Sequence, residues 1–232
     1  MSVILIVGDS WGVPNYYGPP GVPETDHTEF LLKEIGHTVY NCAINGGSNL
    51  SSLDRAKRFV DGEPIPSSPI SDRLVHYNEP AEWLLWFHTE FFREDSLIDY
   101  DMSIEDNIYN IGCEVYRNYA RFINDNNLKV CVIGGQAQIE TTLFDYIDPM
   151  FYITDWRQEI LQVNLPNSYH FLARNFKWIP KLVKDKDEAI RILDIQREIL
   201  TALENSSHFP DNGHPGTVPH RELVSTIKHL FG

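Results

Sequence analysis

The sequence predicts an α/β protein built on an open, mainly parallel sheet with helices on both faces. Two patterns point there. The strand-like runs are continuously apolar rather than alternating, as expected of strands buried on both sides. Segments of helical periodicity separate those runs, so the strands can be joined by crossovers. Length agrees: 232 residues suit one domain, 1–232, large enough to bury its own core without disulfide or metal.

Along the chain, Val3 to Val7 is a β-branched and Leu run that ends at Gly8 and reads as a buried parallel strand. Residues 12–24 hold four prolines, three glycines and two tyrosines and read as loop. Asp26 and Glu29 form a capping pair for a helix through Phe30, Leu31, Leu32 and Ile35, stopped by Gly36. Thr38 to Cys42 is a second strand, Gly46 and Gly47 a turn, and Leu53 to Val60 a short helix. Residues 61–80 read as loop.

Trp83 to Phe87 is the third strand. Ser103 and Asp106 cap a long helix whose Ile104, Ile108, Ile111, Val115, Tyr119 and Phe122 keep helical spacing. Lys129 to Ile133 is the fourth strand, closed by Gly134 and Gly135, and Phe176 to Ile179 is the candidate fifth. Residues 136–180 are long and irregular, a candidate insertion that shapes a pocket. A helix from Asp187 to Glu204 and a last one opened by Pro219 complete the chain. In such sheets the site lies beyond the carboxyl ends of the strands.

Charge and composition narrow the function classes. The formal net charge of −14 repels phosphate backbones and anionic lipid surfaces, so neither nucleic acid nor membrane is an expected partner. No apolar run approaches the roughly 20 residues that span a bilayer. The short apolar start lacks a basic leader, which makes a cytoplasmic protein the expectation. Cys42, Cys113 and Cys131 match no metal motif and are expected as buried thiols. No histidine pair has zinc spacing, so no metal is expected, and His208 and His220 read as surface residues.

Two segments carry chemistry. Gly8-Asp9-Ser10 follows the first strand, which puts a hydroxyl at the ligand-binding rim. A serine hydroxyl is a weak nucleophile until a base takes its proton. By itself the tripeptide fits a helix cap equally well. Asp211-Asn212-Gly213-His214 lies just before the last helix. A step of three positions from acid to imidazole lets the carboxylate reach Nδ1–H and leaves Nε2 for a serine. By itself this segment reads as a turn.

Taken together, these segments resemble the first and fifth sequence blocks of the SGNH (GDSL-type) hydrolases. Asn41-Cys42-Ala43-Ile44-Asn45-Gly46 is similar to the second block, Asn-x-x-x-x-Gly. The resemblance spans almost the whole chain. It implies a three-layer α/β/α sandwich with five mainly parallel strands in flavodoxin-like order, and hydrolysis of carboxylic esters without a cofactor. It also implies roles: Ser10 as nucleophile, His214 as base, Asp211 as its orienting acid, and the backbone N–H groups of Ser10 and Gly46 as oxyanion donors. The third block, Gly-x-Asn-Asp, is not kept. Phe87-His88-Thr89-Glu90 stands there, leaving Thr89 or His88 as the third donor, or both as mere strand ends.

Trp11, Tyr16 and Tyr17 follow the nucleophile and could stack on a sugar ring or hold an acyl chain; packing on the core serves them equally. Gln136 and Gln138 could bind a polar substrate or be solvated. The expected activity is removal of small, acetyl-like acyl groups from a carbohydrate or other polar ester. The alternatives are a lipase- or lysophospholipase-like esterase and a non-catalytic binding module on the same fold. A nucleotide-binding protein lacks support, for the chain has no Gly-x-Gly-x-x-Gly or phosphate-loop pattern.

Overall fold

The computed structural model describes residues 1–13, 26–64, 79–135, 137–162, 183, 185–209 and 214–232. Five strands form one sheet: β1 (Val3–Gly8), β2 (Thr38–Asn41), β3 (Trp83–His88), β4 (Lys129–Gly134) and β5 (Phe151–Ile153). Their spatial order is β2-β1-β3-β4-β5 and every neighbouring pair is parallel. That is the expected flavodoxin-like order, with β1 next to the point where the strand order reverses. Ile4 pairs with Trp83 and Gly8 with Phe87, so β1 and β3 end level with each other.

Six α-helices cover the sheet among the described residues: α1 (Thr28–Glu34), α2 (Asn49–Val60), α3 (Ile104–Asp125), α4 (Trp156–Leu161), α5 (Lys186–Glu204) and α6 (Thr217–Ile227). Because side chains alternate along a strand, each strand feeds two cores. Leu5, Val7, Leu84, Trp86, Val130 and Val132 pack against Leu53 and Phe59 of α2 and Val115 and Tyr119 of α3. Ile4, Ile6, Leu85, Phe87, Cys131 and Ile133 pack against Leu32 of α1, Ile199 of α5 and Leu223 and Ile227 of α6. The protein is therefore the three-layer α/β/α sandwich expected, and all three cysteines are buried free thiols.

The helix starts follow capping chemistry. Ser103 Oγ accepts from Asp106 N at 3.0 Å, as its spacing predicted. Helix α2 begins at Asn49, earlier than expected, because Ser48 and Ser51 form a reciprocal capping box. At α1 the cap is His27 rather than Asp26: the His27 ring accepts from Glu29 N. Asp26 instead pairs with Arg221 of α6 at 2.6 Å.

The fifth strand corrects the sequence reading. It lies at Phe151–Ile153, inside the stretch that read as irregular, and α4 follows it directly. Three residues at a sheet edge, half exposed, leave too short an apolar run to register as a strand. The candidate strand Phe176 to Ile179 lies outside the described residues. So does most of the later part of the candidate insertion. Among the described residues no helix is long and apolar enough to cross a membrane.

The end of β1 is tightly constrained. Gly8 has φ of +130°, and a Cβ there would lie 2.2 Å from the carbonyl oxygen of Phe87. Both facts exclude any side chain. Gly8→Ala is expected to cost about 2 kcal/mol or more of unfolding free energy. Urea denaturation measures the loss; a variant as stable as its parent would contradict this packing.

Candidate active site

Ser10 sits on the turn that β1 runs into. Gly12 N donates to Asp9 O at 3.0 Å and Val13 N to Ser10 O at 3.3 Å, which curls the chain immediately after the strand. Asp9 Oδ1 accepts from Trp11 N at 3.0 Å and holds the same turn from its side chain. Gly8 N donates to Ser52 Oγ of α2 at 2.6 Å. Ser10 itself is only 5% exposed.

The imidazole of His214 meets this serine. His214 Nε2 lies 2.8 Å from Ser10 Oγ, across a sequence separation of 204 residues. The histidine stands just ahead of α6, whose Leu223, Val224 and Ile227 anchor it in the second core. A further connection sets the height of that helix. His220 Nδ1 of α6 lies 2.8 Å from Thr28 Oγ1 of α1. His27, just before α1, has Nε2 3.3 Å from Trp11 O, one residue beyond the serine. His220 is 4% exposed, so its surface assignment is corrected: α6 turns it inward against α1 and Trp156. Burial holds the His220 imidazole well below its ordinary range and pushes that of His27 down to about 4, so both rings are neutral in neutral solution. Asp211 lies outside the described residues.

The loop after β2 reaches the same rim. Ile44 N donates to Gly8 O at 2.9 Å, and Gly47 N to Ile44 O at 2.9 Å closes a turn through Gly46. Gly46 has φ of +64° and open space around it. Asn41, which ends β2, fastens this loop to the serine turn. Its Nδ2 donates to Gly12 O at 2.7 Å and to Glu29 Oε2 at 2.8 Å, while its Oδ1 accepts from Ala43 N at 3.0 Å.

After β3 the structure differs from both sequence alternatives for a third donor. Thr89 is fully buried and its hydroxyl donates to Glu90 Oε2 at 2.7 Å. His88 is fully buried as well, with Nε2 3.3 Å from the Tyr116 hydroxyl of α3, in the core beneath the rim. Asn49, which no sequence motif singles out, closes the strand end: its Oδ1 accepts from Thr89 N at 3.1 Å and Trp86 Nε1 at 3.1 Å, and its Nδ2 donates to Thr89 O at 2.9 Å.

A buried charge cluster lies behind the serine, also unforeseen. Arg93 Nε donates to Glu90 Oε2 at 2.6 Å, its Nη1 to Gly47 O at 3.0 Å, and its Nη2 lies 3.8 Å from Asp9 Oδ2. Glu94 Oε1 accepts from Leu50 N at 2.8 Å in the first turn of α2. Burial pushes the Asp9 carboxyl up to about 6, against the pull of the Arg93 guanidinium. The sequence signal available was three acids around one arginine between residues 90 and 95, which by itself resembles any charged loop.

The aromatic expectation is also corrected at Trp11. It is 2% exposed and packs edge-on against Trp156, with ring centroids 5.7 Å apart, and against Phe209 at 5.8 Å. It is core, with no face left for a sugar ring. Tyr16, Tyr17 and Gln136 lie outside the described residues, and Gln138 is half-buried. Among the described residues no group of three or more His, Cys, Asp or Glu could hold a metal ion.

No protein-family model matches the chain, and no curated protein matches it in sequence. Solved structures do match along their length. The chain is 12% identical to an acetyl xylan esterase, covering 98% of each chain at a TM-score of 0.45. It is 13% identical to the lipase/acylhydrolase from Enterococcus faecalis, covering 100% of this chain and 98% of that one at a TM-score of 0.38. It is 13% identical to a catalytic mutant of an acetylxylan esterase from Geobacillus stearothermophilus, covering 100% and 94% at a TM-score of 0.39.

The depressed histidines make stability depend on pH. Unfolded His27 takes up a proton near 6.5 and folded His27 only near 4, so the unfolded chain binds more protons between those values. That contribution to stability rises with pH across the window. Asp9 acts in the opposite sense between about 4 and 6, so the raw curve mixes the two. Denaturant unfolding of wild type and His27→Gln at several pH values separates them. The advantage of the wild type should shrink as pH falls from 6.5 to 4, and a constant difference would contradict the burial of a neutral ring.

Proposed function

We propose that this chain is a serine hydrolase of the SGNH type that cleaves carboxylic esters through an acyl-enzyme. The observation that carries the reading is the 2.8 Å approach of His214 Nε2 to Ser10 Oγ beyond the carboxyl end of β1. A general base in hydrogen-bond contact is what turns a serine hydroxyl into a nucleophile. The surrounding geometry suits it, for the serine turn leaves the strand at the rim where α/β proteins bind ligands.

The steps follow from these roles. Ser10 Oγ attacks the acyl carbon as its proton passes to His214 Nε2. The oxyanion accepts from the backbone N–H groups of Ser10 and Gly46. Collapse of the tetrahedral intermediate breaks the ester bond, and the imidazolium gives its proton to the leaving alcohol. Water, deprotonated by His214, then attacks the acyl-serine and restores both groups. Asp211 orients the imidazole and stabilises its charged form. With Thr89 and His88 engaged elsewhere, the two backbone donors carry the oxyanion. Loss of one donor costs about 10²–10³ in kcat in comparable enzymes, a slower reaction rather than none.

The substrate class is a small acyl ester on a polar alcohol such as a carbohydrate. The absence of a long apolar loop in the sequence and the glutamines after β4 support it. The other reading, a binding module on this fold, is disfavoured by the serine–histidine contact itself.

Hydrolysis of p-nitrophenyl acetate tests the proposal. Ser10→Ala and His214→Ala should each lower kcat by at least about 10³-fold. Turnover undiminished in Ser10→Ala would leave the binding module standing. A chain-length series should show the highest kcat/KM with acetyl; a maximum at long acyl chains would point to the lipase-like alternative.

A further inference from the structure

We propose that Arg93 is a positioning residue for this hydrolysis, holding the serine turn and the Gly46 turn in register from behind the site. The inference rests on the hydrolase reading above. Three loops converge on the one guanidinium, and each leaves a different strand. Asp9 follows β1, Gly47 follows β2 and Glu90 follows β3. Their partners on Arg93 are also different atoms: Nη2, Nη1 and Nε. A planar fork of donors can serve three directions at once, which a lysine ammonium on a flexible stem cannot do rigidly.

Each loop carries something the reaction needs. Asp9 precedes Ser10 and its other oxygen accepts from Trp11 N, so its orientation sets the turn that presents the nucleophile. Gly47 follows Gly46, the expected oxyanion donor, and its own carbonyl is the atom that Arg93 grips. Glu90 follows the strand end where the family's third donor is missing, and it takes up the Thr89 hydroxyl. Arg93 and Glu90 are both nearly fully buried, which fixes their rotamers.

An ion pair serving stability alone would need only Arg93 and Glu90. The donation to a backbone carbonyl beside the oxyanion turn goes beyond that. Reacting groups must be held within about 0.5 Å and 10–20° of their working geometry. Because the chain lacks the side-chain donor at block three, the reaction leans on two backbone N–H groups whose alignment depends on these turns.

The test compares wild type, Arg93→Lys, Arg93→Met and Ser10→Ala with p-nitrophenyl acetate, alongside circular dichroism and thermal unfolding. Arg93→Lys is the decisive variant, since it keeps the buried charge and is the one expected to fold. It should lose about 10- to 100-fold in kcat with KM nearly unchanged. Arg93→Met, if folded, should lose at least as much. A folded Arg93→Lys with wild-type kcat overturns the proposal, and so does one that raises KM alone. A lowered melting temperature with kcat preserved also overturns it, since that is the signature of a structural ion pair. Ser10→Ala keeps the two ideas apart. If it is silent while Arg93→Lys works normally, only the positioning role falls. If it still turns over substrate, the hydrolase reading falls and takes this proposal with it.

Discussion

A hydroxyl at position 10 and an imidazole at position 214 are brought to 2.8 Å by the packing of one helix on one sheet. Strand β1 lies inside the sheet with β2 on one side and β3 on the other, so its carboxyl end opens at the crevice where crossovers diverge. Helix α6 lies across the same face and drops the residues before it onto that crevice. Neither end of the chain contains enough local information to make the contact. The apolar side chains Leu223, Val224 and Ile227 make it, by placing α6 against Ile4 and Ile6.

The close quarters at this strand end impose costs that the surrounding residues offset. Gly8 yields its side chain to the Phe87 carbonyl. Buried Asp9 would be expensive to ionise in isolation. Arg93 compensates part of that cost, and the Trp11 N–H compensates more. Glu94 uses the first turn of α2, where backbone N–H groups have no intrahelical partners and the helix dipole favours an anion. Buried ionic groups of this kind contribute weakly to net stability. What they do here is link three loops from three neighbouring strands.

A second set of polar contacts ties the nucleophile to the C-terminal helix by a different route. Trp11 O, His27, Thr28 and His220 run from the residue after Ser10 through the start of α1 to the first turn of α6. The two imidazoles lie 4.2 Å apart by ring centroid, a spacing that suits neutral rings and opposes two charged ones. Asp26 and Arg221 reinforce the same helix pair nearer the surface. The helix that follows His214 is thus indexed against the strand that leads into Ser10.

The architecture was legible from the chain because its signals are local. Continuous apolar runs marked β1, β3 and β4, and the Ser103–Asp106 spacing marked the start of α3 to the residue. The two candidate segments could be singled out for the same reason, since Gly8-Asp9-Ser10 and Asp211-Asn212-Gly213-His214 are each written within four residues. Tertiary structure alone decided where side chains went once those elements met. It put β5 at three edge residues, turned Trp11 and His220 inward, and engaged Thr89 with Glu90 and His88 with Tyr116. It also gathered Asp9, Gly47 and Glu90 on Arg93. Periodicity and capping depend on neighbours a few residues away, and a sequence displays those directly. The destination of a side chain depends on which distant surface packs over it, and that is fixed only when the layers close.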